Sequence, residues 1–200
     1  MTTTRNHGEF INVAHIEPQS HIYGPGKRFV IWLQGCSLAC PGCWNEEMWS
    51  FKPKTLIHRD ELLARILATQ DIDGITVLGG EPLQQADNVI WLLNRIKKDS
   101  NLSTFLYTGY EQQELHTMGL WHGLNTLCDM IAVGRYKQED RNTNRQWVGS
   151  ENQALIYPEG SGENMPQSEQ NEVEIIIHSD GALTVLGFPD TEMVDLIKQI

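Results

Sequence analysis

The chain has 200 residues, 40% of them hydrophobic, which suits one domain with a packed core and falls short of two. Its formal net charge of −11 and pI near 5.0 argue against the basic footprint of a general nucleic-acid binder and against docking on an anionic membrane. No run approaches the roughly 20 apolar residues of a membrane span, and the N-terminal "MTTTRNHGEF" lacks the apolar centre of a signal peptide. The expected location is the cytoplasm, where thiols stay reduced.

In chain order, 9–16 ("EFINVAHI") is predicted to be a strand, and 20–28 a polar loop punctuated by Gly24, Pro25 and Gly26. The run "FVIWLQG" (29–35) reads as a buried strand leading into a group of cysteines. Residues 59–69 are predicted helical, with Leu62, Leu63, Ile66 and Leu67 as the apolar stripe. "GITVLGG" (74–80) reads as a strand ending in two glycines. A helix follows over 81–98, with Pro82 in its first turn and Lys97 and Lys98 at the end that favours cations. "STFLYTGY" (103–110) and "LCDMIAVG" (127–134) read as strands, with a short helix at "QQELHT" between them. Apolar rather than alternating strands, interleaved with helices, predict an α/β fold with a parallel sheet covered by helices. Residues 158–172 read as a polar loop; 173–188 as a hairpin turning at Asp180-Gly181; and 190–200 as a closing helix.

Three of the four cysteines, Cys36, Cys40 and Cys43, fall within eight residues as C-x3-C-x2-C. Thiols so spaced on a curled loop suit a soft metal centre. A structural zinc site would close with a fourth ligand, for which Cys128, His15, His21 and His58 are candidates without knuckle spacing. The other reading is a [4Fe–4S] cluster on three thiolates, with one iron left open for chemistry. Cys128, between Leu127 and Met130 in an apolar run, reads as a small buried hydrophobe.

C-x3-C-x2-C followed by Trp44 resembles the cluster loop of radical S-adenosylmethionine (SAM) enzymes, and "GGEP" at 79–82 resembles that superfamily's second motif. The stretch "YGPGKRFVIWLQGCSLACPGCWN" resembles the glycyl-radical-enzyme activases. "LYTGY" (106–110) and "WVGSENQ" (147–153) are similar to the activating proteins of anaerobic (class III) ribonucleotide reductases. The likeness spans about residues 8–154.

This resemblance implies that Cys36, Cys40 and Cys43 hold a [4Fe–4S] cluster. It places Gly42, Trp44 and Asn45 near the SAM adenine and ribose, and Gly79, Gly80, Glu81 and Pro82 at the methionyl amino group. Tyr107 and Thr108 would stand on the same rim. It implies a partial, open (β/α) barrel over residues 1–157, with the site at the C-terminal ends of the strands; the residues after 155 have no counterpart in the shortest members, so the loop 158–172 and the hairpin and helix read over 173–200 are expected to extend that core. It implies reductive cleavage of SAM to a 5′-deoxyadenosyl radical and a glycyl radical enzyme as partner. Anaerobic ribonucleotide reductase is an example of such a partner, and a flavodoxin or ferredoxin would serve as electron donor. Many activases carry an acidic residue where this chain has Val133, before Gly134; here Asp129 opens that strand. Two alternatives stand beside this reading: a radical SAM enzyme acting on a small molecule or peptide, and a non-catalytic zinc or iron–sulfur module.

Overall fold

The computed structural model describes residues 6–142, 144–158, 172–190, 193 and 196. β1 (Phe10–Ser20) turns through residues 21–27 into β2 (Arg28–Leu33), pairing antiparallel with it. A seven-residue link is too short for a parallel crossover, which needs a dozen or more. The cysteine loop leads to β3 (Thr55–His58), which adds to the outer side of β1, again antiparallel. There follow α1 (Arg59–Ala68), β4 (Gly74–Gly79), a 3-10 turn (Pro82–Gln85), α2 (Ala86–Asp99) and β5 (Ser103–Thr108). Next come α3 (Gln112–Thr117), α4 (Trp121–Leu127), β6 (Met130–Val133) and β7 (Ala154–Ile156). β8 (Val173–Ile177) and β9 (Leu183–Gly187) form a separate two-stranded sheet.

The main sheet runs β3-β1-β2-β4-β5-β6-β7. Its central strands β2, β4, β5 and β6 are mutually parallel, and β7 closes the far side antiparallel. Every residue of β2 and β6 is buried, as expected of parallel strands covered on both faces. The protein is thus a mixed α/β structure, rich in parallel pairing, with a C-terminal β-hairpin.

Helices cover one face. Leu62, Leu63 and Ile66 of α1 and Val89, Leu93 and Ile96 of α2 lie against Ile31, Ile75 and Leu106. Each fully buried side chain of this size stabilises by about 1.5–3 kcal/mol. Leu67, expected in the α1 stripe, is instead 40% exposed. On the other face Val30, Trp32 and Leu78 pack with Met48 of the cysteine loop and Leu186 of β9. At the N-terminal end of the sheet the buried Arg28 donates to Thr76 Oγ1 (2.6 Å), Ser103 Oγ (2.9 Å) and the carbonyls of Pro25, Ile75 and Ser103. It ties β2, β4 and β5 together and leaves the opposite end for a site.

Other expectations shift in detail. The helix expected over 81–98 begins as the 3-10 turn and becomes α-helical only at Ala86. The strand expected over 127–134 starts at Met130, because Leu127 ends α4 and Cys128 is its C-terminal cap. The hairpin turn falls where expected: Gly181 has φ +87°, and the Asp180 carboxylate accepts from the Ala182 amide at 3.0 Å. Nearly all of the expected loop 158–172 and most of the expected helix 190–200 lie outside the described residues.

Candidate iron–sulfur and nucleotide cleft

Parallel pairing sets the C-terminal ends of β2, β4, β5 and β6 on one edge of the sheet, where α/β proteins place their ligands. A cleft opens there, at the edge where these four strands end. Cys36, Cys40 and Cys43 line it, as do Trp44 and Asn45 just after them. Gly79, Gly80 and Glu81 enter from the end of β4, and Tyr107 and Thr108 from the end of β5. Of the residues assigned by resemblance, Gly42 and Pro82 do not line it: Gly42 turns the loop beside Gln138, and Pro82 is buried in the first turn after the GGE stretch.

The cysteine loop is shaped by its backbone. Ala39 (φ +46°) and Gly42 (φ +70°) both lie in the left-handed region, and the Cys43 amide donates to the Cys40 carbonyl at 3.1 Å. A left-handed non-glycine residue is uncommon and concentrates at functional loops. Two backbone bonds close the neck of the loop, Gly35 N–H to Met48 O (2.8 Å) and Cys36 N–H to Trp49 O (3.1 Å).

The GGE stretch is clasped to that neck. Gly80 donates to the Leu33 carbonyl (2.8 Å) and Glu81 to the Gly35 carbonyl (2.9 Å). A Cβ on Gly79 would overlap the backbone of Leu33, and one on Gly80 the Gly35 carbonyl. Both glycines therefore permit close packing between the end of β4 and the start of the cysteine loop, a role the sequence reading did not include. Gln84 adds a side-chain latch, accepting from the Ser37 amide at 3.1 Å and donating to the Ser37 hydroxyl at 2.5 Å.

Glu81 is 1% exposed. Its carboxylate accepts from Leu83 N–H (2.9 Å), Thr108 Oγ1 (2.9 Å) and Gly109 N–H (2.7 Å). Burial raises its pKa to about 7, outweighing the three hydrogen bonds and the nearby Arg135, which pull the other way. The cleft thus contains a carboxyl group that gains from a cation placed beside it.

Burial likewise pushes the Cys36 thiol up to about 11, and Cys40 above its usual range, where the neighbouring Cys43 adds to the effect. Backbone amides of Leu38 and Ala39 donate to Cys36, and that of Tyr136 to Cys40. Poorly hydrated sulfurs that already receive amide hydrogen bonds fit ligation by a metal, whose charge deprotonates a thiol outright. Among the described residues, no three His, Cys, Asp or Glu side chains are grouped to hold a single metal ion. Three partly buried thiols lining one cleft suit an iron–sulfur cluster held by thiolates. None of the other candidate ligands reaches the cleft. Cys128 is 3% exposed in the helix-side core, His15 packs on Trp32, and His58 faces Glu9 and Asp60. Asp129 lies at the far end of β6, bound to Thr104 and Lys97.

Several lining residues were not singled out from the sequence. Tyr23, Tyr136, Trp147 and Phe188 line the cleft, each brought from a distant segment. Within the "GSENQ" run, Gln153 organises the local backbone, accepting from Gly149 N–H (2.9 Å) and donating to the Gly134 carbonyl (2.9 Å).

Comparison with known proteins gives a consistent picture. The model of a family described as a 4Fe–4S single cluster domain matches residues 22–156. An anaerobic ribonucleoside-triphosphate reductase-activating protein of Pasteurella multocida is 29% identical over 157 residues, covering 74% of this chain and 97% of its own. The protein of that description from Escherichia coli K12 is 29% identical over 154 residues, with 74% and 99% covered. That from Salmonella typhi is 31% identical over 147 residues, with 70% and 94% covered. Among solved structures, QueE from Escherichia coli aligns with a TM-score of 0.37 and 21% identity over 50% of this chain and 52% of its own, too distant a likeness to carry structural argument.

Proposed function

The chain belongs to the 4Fe–4S single cluster domain family, and from that premise we propose that it is a radical SAM enzyme that generates a glycyl radical on a partner enzyme such as anaerobic ribonucleoside-triphosphate reductase. The observation that carries this reading is one cleft lined by three thiols, the GGE stretch and no fourth cysteine. When bound, the cluster and SAM supply a one-electron cleavage of the sulfonium that yields a 5′-deoxyadenosyl radical, able to take hydrogen from a glycine.

In this reading Cys36, Cys40 and Cys43 hold the cluster. Glu81, with the backbone of Gly79 and Gly80, receives the methionyl ammonium, and Pro82 fixes the turn behind it. Trp44 and Asn45 meet the nucleoside, with Gly42 bending the loop so that they follow Cys43 into the cleft. Tyr107 and Thr108 form the rim, and the Thr108 hydroxyl steadies the Glu81 carboxylate at 2.9 Å. The main sheet, whose outer strands β3 and β7 do not meet, is read as a partial, open barrel over residues 1–157. Its gap would admit a loop of a macromolecular substrate. Residues 158–172 would be a polar connection, and the β8–β9 hairpin is an extension packed on the core. The electron comes from a flavodoxin or ferredoxin, and the reaction belongs to the cytoplasm.

The test is anaerobic reconstitution of the full chain with iron and sulfide, followed by incubation with SAM, reductant and an anaerobic ribonucleotide reductase. The expected result is 5′-deoxyadenosine release together with a glycyl-radical signal in electron paramagnetic resonance, both lost in Cys40→Ser. A colourless protein holding one zinc, or SAM cleavage with no radical on any glycyl radical enzyme, would overturn it.

A further inference from the structure

Two relatives with 29% identity, those of Pasteurella multocida and Escherichia coli K12, are covered over 97–99% of their length by alignments taking up 74% of this chain, and the family match ends at residue 156. The β8–β9 hairpin therefore stands outside the family match, yet it is part of the cleft. Leu186, 5% exposed, packs with Trp32 and Leu78 beneath the site, and Gly187 and Phe188 line the cleft itself.

The hairpin end is held from two sides. The Gly187 amide donates to Tyr23 Oη at 2.8 Å, and Ser20 Oγ donates to the Glu174 carboxylate at 2.7 Å. Across the cleft segment, Arg141 donates to the Pro189 carbonyl at 2.7 Å. Two bare positions let the Phe188 ring seat. Gly187 has φ +100°, and a Cβ there would lie 2.6 Å from the Glu172 carbonyl. A Cβ on Gly149 would lie 2.7 Å from Phe188 Cζ. Seated so, the ring has its centroid 6.3 Å from Trp44 at 35° and 6.3 Å from Tyr136 at 39°. Trp44 keeps 41% of its surface exposed. The cleft that holds the cysteines thus has an aromatic wall of three rings, one supplied by the added hairpin. Such a wall suits a flat π-system.

We propose that Phe188 stacks, beside Trp44, on the purine of the bound adenosyl cofactor, so that the hairpin completes the nucleoside site. This rests on the radical SAM reading given above and adds a contact that the family match does not include. Base–aromatic stacks are substantial on alanine substitution, so loss of the ring is expected to weaken binding about tenfold.

The test is calorimetry on the anaerobically reconstituted full chain with SAM, 5′-deoxyadenosine and methionine. Phe188→Ala and Phe188→Leu are expected to lose about tenfold affinity for SAM and for 5′-deoxyadenosine, with methionine binding unchanged. Phe188→Trp stays within about twofold of wild type. Phe188→Leu keeps the apolar bulk, so thermal melting equal to that of Phe188→Trp separates a lost stack from a disturbed hairpin. Affinities of Phe188→Ala and Phe188→Leu within about twofold of wild type, or equal losses for methionine and nucleoside, would overturn the inference while leaving the function intact. A wild-type chain with its cluster in place that bound no SAM would overturn both.

Discussion

Glu81 shows how one side chain carries opposed demands. Three donors at 2.7–2.9 Å favour the carboxylate, whereas burial favours the neutral acid and prevails, placing the pKa at about 7 against an ordinary 4.5. A raised folded-state pKa means that the protonated group's contribution to stability is complete below about 4.5 and is lost as pH rises through about 7. Glu81→Gln removes the titration while keeping the shape. The unfolding free energy of the cluster-free chain, measured by urea denaturation across pH 4.5–8, is therefore expected to fall for wild type relative to Glu81→Gln. The drop is roughly 3 kcal/mol over that window, since each tenfold change in proton affinity between folded and unfolded chain is worth about 1.4 kcal/mol. A constant difference between the two proteins would show that the three hydrogen bonds, not burial, govern the carboxyl. The same balance gives the residue its use, since an ammonium in the cleft supplies the charge that the buried carboxylate lacks.

Among elements, the join between the cysteine loop and the turn after β4 decides whether the site is preorganised. Gln84 holds Ser37 by both backbone and hydroxyl, and Gln85 of the same turn accepts from Asn12 N–H (2.8 Å) and donates to the carbonyls of Asn12 and Gln34. Gln84→Ala removes the bond to the Ser37 amide, at about 0.5–1.5 kcal/mol for an ordinary hydrogen bond, whereas Ser37→Ala keeps that amide's bond. Iron release to a chelator under anaerobic conditions is expected to be about tenfold faster in Gln84→Ala and little changed in Ser37→Ala. Equal rates in all three proteins would mean that the latch does not hold the loop.

This join was only half legible in the sequence. "FVIWLQG" and "GITVLGG" read as strands because a strand covered on both faces is a continuous apolar run, and C-x3-C-x2-C is local. The clasp of Gly79 and Gly80 on Leu33 and Gly35 is not local, and nothing in the letters distinguishes it from a turn. β3 was missed because it has only four residues, with Thr55 and Leu56 exposed on the sheet's edge. α4 was missed because Gly123 interrupts its middle and it has no side-chain cap. Cys128 looked like strand because "LCDMIA" runs from a helix end into β6 with no change of apolarity. Phe188, Tyr136 and Trp147 reach the cleft only through tertiary packing, which periodicity does not encode.

For the molecule as a whole, the division of labour between core and cleft predicts how the protein behaves without its cluster. The helix-side core draws on β1, β2, β4, β5, β6 and α1–α4, and its one cysteine is Cys128. Cys36, Cys40 and Cys43 are only partly buried and belong to neither of the larger apolar clusters. Their loop is attached at its neck by two backbone bonds, with the Gln84 latch beside them. In small metal-dependent domains the ion substitutes for a core, and its removal unfolds the chain; here the sheet and helices supply that core independently. The cluster-free chain is therefore expected to keep its far-UV circular dichroism and a single cooperative melt. Its melting temperature should be lower only by the mass-action term of the lost ligand. Hydrogen exchange is expected to quicken over residues 36–49 on cluster removal while β2, β4 and β5 keep their protection, since local opening follows local contact density. Loss of protection in those central strands, or a broad non-cooperative melt, would mean that the metal organises the sheet itself. Retained protection would instead describe a scaffold that folds first and receives its cluster through a loop built to open.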